Sequence, residues 1–129
     1  MNQVNLADVV ARGNRLGLRQ VAGPLQDIEA DGVEIVLPED LAAPRPGRLA
    51  IVAAPPGAPL RPFQLDVAIR RAIAARCAGL VFVGDFPLAE TARALAERGR
   101  MPVLISPASP SELAVFLDRA IRGGAEEAM

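Results

Sequence analysis

The side chains that could do chemistry in this chain are few. It holds no His and no Lys, so all fourteen of its cations are Arg. That removes the commonest general base, the usual partner of a nucleophilic Ser, the amine of a Schiff base and the lysine of a phosphate loop. Neither GxxxxGK followed by Ser or Thr nor GxGxxG occurs. Cys77 stands alone, which rules out a disulfide within the chain. With no His, only carboxylates are left as metal ligands, and no EF-hand spacing is present. The adjacent pairs Glu39-Asp40 and Glu126-Glu127 fall in a loop and a tail, where solvation accounts for them. Cys77 follows Arg76 at the carboxyl end of a helix, whose dipole opposes a thiolate, so it reads as a small core residue. No metal, no cofactor and no enzymatic activity are expected.

Composition narrows the class further. Apolar residues make up 51% and charged residues 22% of the 129 positions, the balance of one globular domain. Net charge is −1, so neither nucleic acid nor an anionic membrane is called for. The Arg-only usage, with abundant Ala, Pro and Gly, reads as GC-rich codon habit as much as anion recognition. Arg70, Arg71 and Arg76 are the densest basic group, but neighbouring positions on a helix point apart. With no Tyr or Trp and no helix-turn-helix order, direct DNA contact by this chain is not expected. The start has no basic segment followed by an apolar one, and no apolar run nears the roughly 18–20 residues of a membrane helix. The expectation is a cytoplasmic protein.

Apolar patterning supplies the elements that must position any site. A short helix starts at the cap Asn5, with Leu6, Val9 and Val10 on one face, and ends at Gly13. A brief strand follows near Leu18 to Val21. Further strands are read at Val33 to Leu37, Leu49 to Ala54, Leu80 to Val83 and Pro102 to Ile105. Five prolines from Pro44 to Pro59 keep the intervening stretch non-helical. Helices are predicted over about Phe63 to Cys77, broken at Gly79, and from a turn at Gly84 to Pro87 down to a cap at Gly99. The last helix opens with Ser109, Pro110 and Glu112 at the N-cap, N1 and N3 of a capping box. Leu113, Phe116, Leu117, Ala120 and Ile121 face inward, and Gly123-Gly124 is expected to end the helix. Alternation of strand and helix predicts an α/β fold: a three-layer domain whose mainly parallel sheet is flanked by helices, with an antiparallel edge strand from the amino-terminal third.

In such sheets ligands sit beyond the carboxyl ends of the strands. Those ends here single out Gly84, Asp85, Ser106 and Ser109 as ligand-binding candidates, through close backbone approach at Gly84 and hydrogen bonds from the others. The competing reading makes Gly84 a turn and Asp85 and Ser109 helix caps.

The order of segments resembles the amino-terminal domain of the PucR family of purine catabolism regulators. The resemblance rests on Asn5-Leu6-Ala7-Asp8-Val9-Val10, on Gly32 to Leu37, on Pro46 to Ala54, and on the run from Ala78 through Met101-Pro102-Val103-Leu104-Ile105 to the final helix. Arg48 and Ala53-Ala54 replace the family's usual acidic residue and Thr pair, and its Trp-x-His strand is missing. The resemblance implies residues 1–122 as a sensing domain, with 123–129 a linker or frayed tail. It further implies a small metabolite effector, a homodimer, and a DNA-binding helix-turn-helix elsewhere in a longer regulator. The alternative is an interaction module without a small ligand, using the apolar segment Leu60, Pro62 and Phe63.

Overall fold

Strands buried on both faces read as unbroken apolar runs, and three such runs form the centre of the sheet. The computed structural model describes residues 2–24, 26–37, 45–54 and 59–127. Its elements are β1 (Asn2–Asn5), α1 (Leu6–Arg12), a 3-10 turn (Gly13–Leu16), β2 (Arg19–Ala22), β3 (Asp27–Ala30) and β4 (Gly32–Val36). There follow β5 (Arg48–Val52), α2 (Pro62–Ala75), β6 (Gly79–Val83), α3 (Glu90–Arg98), β7 (Val103–Ser106) and α4 (Pro110–Glu127). The main sheet has the order β2-β7-β6-β5-β4. Strands β4 to β7 are parallel, and β2 runs antiparallel along β7 as the expected edge, with a register shift between Gln20 and Ala22. The architecture is a three-layer α/β domain.

Alternation along the strands feeds two cores. Ala50, Val52, Leu80, Phe82, Val103 and Ile105 meet Leu65, Ala68, Ile69 and Ala72 of α2 and Ala92 and Ala96 of α3. Leu49, Ile51, Val81 and Leu104 meet Leu6 and Val9 of α1 and Leu113, Leu117 and Ile121 of α4 on the opposite face. Each fully buried Val, Leu, Ile or Phe among them stabilises by roughly 1.5–3 kcal/mol, the alanines by less.

Several expectations change. An unforeseen two-stranded sheet pairs β1 with β3 in antiparallel register, Val4 opposite Ile28. Both side chains are buried beside α4, and a four-residue strand with one or two apolar positions carries too little alternation to be seen in sequence. Helix α2 stops before Gly79: Arg76 takes the left-handed conformation (φ 59°), and the Cys77 N–H closes on Ala72 O at 3.0 Å. Gly79 instead opens β6, where a Cβ would lie 3.0 Å from the Leu49 side chain. Gly99 does cap α3, but at φ −84°, and the left-handed residue is Arg100. Helix α3 starts only at Glu90, with Ala89 as N-cap, so Asp85 caps nothing and the buried Leu88 precedes the helix.

At the carboxyl end the capping box of α4 forms as read, with Glu112 N–H donating to Ser109 Oγ at 3.2 Å and the Ser109 hydroxyl donating to Glu112 Oε1 at 3.2 Å. The helix does not end at Gly123-Gly124 but continues to Glu127, which carries the Glu126-Glu127 backbone into the helix. A glycine costs a helix interior only about 1 kcal/mol, and it stops one only where the chain turns left-handed. The Glu39-Asp40 pair and most of the proline-rich connectors lie outside the described residues.

Candidate functional site

The loop after β6 leads to α3 on one face of the sheet, and the loop after β7 leads to α4 on the other. Between those two strand ends the chain parts, the place where α/β sheets form ligand crevices. The four residues singled out from the sequence flank this point. Gly84 N–H donates to Ser106 O at 2.8 Å, tying the two strand ends together. Gly84 holds φ 149°, open to glycine and strained for other residues, and a Cβ there would meet the Phe86 ring at 2.6 Å. Ser106 is fully buried. Its hydroxyl donates to Leu16 O at 2.6 Å and accepts from Ala108 N–H at 3.1 Å, so it bolts the 3-10 turn onto the end of β7. Asp85 is exposed and pairs with Arg19 at 3.2 Å. Ser109 caps α4 one step farther on and lies 3.5 Å from the Ser111 hydroxyl. Gly84 and Ser106 are thus in direct contact, while Asp85 pairs with Arg19 and Ser109 caps α4.

The described residues also form a concavity that sequence reasoning missed, an open groove of about 610 Å³ between the 3-10 turn and the first turns of α4. Leu16, Val115 and Phe116 form its apolar part. Arg15, Ser111, Glu112 and Arg119 add the polar groups. Glu112, Val115, Phe116 and Arg119 share one helix face because they stand at i, i+3, i+4 and i+7. That spacing was legible, but the opposite wall at Arg15 and Leu16 is about a hundred residues away and only folding brings it there. Packing of the 3-10 turn is close: a Cβ on Gly13 would sit 3.2 Å from Phe116 Cε2. Glu112 is engaged by the Ser109 hydroxyl. Among the described residues neither Arg15 nor Arg119 has an ion-pair or hydrogen-bond partner, in contrast to Arg12, Arg19, Arg48 and Arg122.

Elsewhere the reactive groups are quiet. Cys77 is buried, and burial followed by the nearby Glu34 charge pushes its thiol up to about 11. The thiol donates weakly to Arg45 O at 3.7 Å. No cluster of three or more Cys, Asp or Glu gathers for a metal among the described residues. No helix among them is long and apolar enough to cross a membrane. Pro62 and Phe63 at the start of α2 are exposed, Phe63 at 60%, while Leu60 packs partly against the core.

No protein-family model matches the chain, and no curated protein is similar to it. Among solved structures it is similar to the CBS and DRTGG domains of the regulatory region of Clostridium perfringens pyrophosphatase, a structure complexed with the activator diadenosine tetraphosphate. The TM-score is 0.58 at 12% identity, with 91% of this chain and 47% of that chain covered. The chain therefore spans about half the length of that structure, and the likeness is one of fold.

Proposed function

We propose that this chain is a non-catalytic regulatory domain that senses a small metabolite within a PucR-like bacterial transcription regulator. The observation that carries the reading is the groove of about 610 Å³, within the range of roughly 300–1,000 Å³ typical of small-molecule sites. One of its walls is the amino-terminal part of α4, the last helix of the domain. An occupant would bias the position of that helix, the route by which two arrangements of the module would reach a DNA-binding helix-turn-helix carried elsewhere. None of Gly84, Asp85, Ser106 and Ser109 lines that groove; in this reading Ser109 serves it through its hydrogen bond to Glu112, Gly84 and Ser106 hold the strand ends, and Asp85 is an outlying contact. A nucleotide-activated regulatory region with the same fold supports the reading. So does the scarcity of groups able to move protons.

Self-association into a homodimer is part of the proposal. Edge strand β4 leaves Ile35 exposed, and Leu37 just after it is exposed too, an apolar edge of the kind that pairs with another chain. The exposed Phe63 beside Pro62 favours a second reading, a protein-interaction module without a small ligand.

A thermal-shift screen with neutral, cationic and anionic metabolites tests the choice. An effector at a hundredfold excess over Kd stabilises by about 2.7 kcal/mol, so melts should rise with dose. Flat melts across all three charge classes exclude sensing and leave the interaction reading. Sedimentation across a concentration series checks the dimer, and duplex DNA should remain unretarded by this chain alone.

A further inference from the structure

We infer that the groove between the 3-10 turn and α4 selects a small organic anion with a flat apolar body, an inference that rests on the sensing reading above. Among the described residues four arginines are balanced by a carboxylate within 3.3 Å: Arg12 by Asp8, Arg19 by Asp85, Arg48 by Asp31 and Arg122 by Asp118. Arg15 and Arg119, like most of the other arginines, have no carboxylate partner among the described residues; what sets these two apart is that they line the same groove from two different elements. The one carboxylate there, Glu112, is held in the capping box by the Ser109 hydroxyl. The groove therefore carries two guanidinium groups, each able to give a carboxylate or phosphate paired N–H donors. The first turn of α4 adds the positive end of an eighteen-residue helix, with Ser111 in that turn.

The rest of the lining sets the shape of the ligand. Phe116, half-buried beneath the 3-10 turn, offers a ring, with Leu16 and Val115 beside it. A planar hydrocarbon body on this surface removes apolar area from water while its charged end reaches the guanidiniums. A cation would meet two like charges, and a neutral ligand would leave both arginines unanswered. Carboxylate and phosphate share the required chemistry.

The test uses three probes with one ring system, 1-naphthoate, 1-naphthyl phosphate and the neutral 1-naphthamide, titrated by NMR against the full chain. Both anions should shift amides around Arg15 and from Ser111 to Arg119, and the amide should bind about tenfold more weakly or worse. A preference between the anions identifies the head group and supports the inference. Arg15→Glu and Arg119→Glu, both at exposed positions, should each weaken the anions about tenfold or more with unchanged melting. Arg71→Glu on the exposed side of α2 should change nothing. Equal binding of the amide, equal loss in Arg71→Glu, or no anion binding at millimolar concentration overturns the inference. A neutral metabolite that stabilises the protein and ignores both reversals sinks the anion site while leaving the sensing reading intact; silence from every metabolite removes both.

Discussion

The two faces of the sheet are built from the same strands but sealed differently. On the α2 and α3 side, the helices present Ala68, Ala72, Ala92 and Ala96 to the strands, all within 1% of full burial. Side chains that small bring helix backbone close to the sheet, with Leu65, Ile69 and Phe82 filling the space between. The α4 side is covered by several pieces: β1 with β3, α1, the 3-10 turn and α4 itself. Short elements with larger side chains meet there at their ends, and the groove lies at one such junction. Where a fold is covered by one regular layer it gains stability, and where it is patched from several it gains concavity.

That contrast can be broken from either side. The largest effect should come from Phe82→Ala, at a position with no exposure on the sealed face, with a loss of about 3–5 kcal/mol in denaturant unfolding. Val115→Ala on the groove, 53% exposed, should stay within about 0.5 kcal/mol of the parent. Comparable losses for both would mean that the groove is packed after all. Next comes overpacking: Ala72→Leu has no room against the sheet and should cost about 1–3 kcal/mol in the same assay.

Cys77 lies in the same sealed core, and its folded thiol is raised from 9.0 to about 11. The sign follows from linkage: the unfolded thiol ionises first, so no stability is lost below pH 9. Between pH 9 and about 11 stability should fall by at most about 1.4 kcal/mol per pH unit. Chemical denaturation across that range, with Cys77→Ala as the control that flattens this component, measures it. On the other face, Ser109→Ala removes the cap of α4 and should cost about 1 kcal/mol, visible as faster amide exchange in its first turn. Smallest of all, Asp85→Ala breaks an exposed pair with Arg19 and should shift thermal stability by less than about 1 kcal/mol. A larger drop would make this ion pair a structural clasp between β2 and the end of β6.

The same division governs what the sequence made legible. From Arg48 onward each element is local and long enough to show its period, and the strands, helices and the Ser109 capping box were read to within a few residues. The misreadings in that half concern glycine. Gly79 and Gly123-Gly124 looked like stops, yet an Arg at position 76 turned the chain and the last helix ran on, since a glycine's helix penalty of about 1 kcal/mol does not by itself end a helix. In the first third the edge strand was anticipated, but the pairing of β1 with β3 was not, since its stability comes from Val4 and Ile28 being covered by a helix near the other end of the chain. The candidate site divides likewise. Position along the strands pointed to Gly84, Asp85, Ser106 and Ser109, but the hydroxyl of Ser106 proved committed to Leu16. The groove depends on Arg15 meeting Arg119, which no local window contains.

The bond from Ser106 to Leu16 and the pairing of β2 with β7 also set an order of events during synthesis. Ala22 leaves the ribosome about eighty residues before its partner Val103, a delay of roughly 4–16 s at 5–20 residues per second. Through that interval the amino-terminal segment has no seat, and the outer strand of the sheet is among the last to dock although it is among the first to be made. A nascent chain halted before β7 should therefore offer this segment to chaperones or to a neighbouring polysome's product.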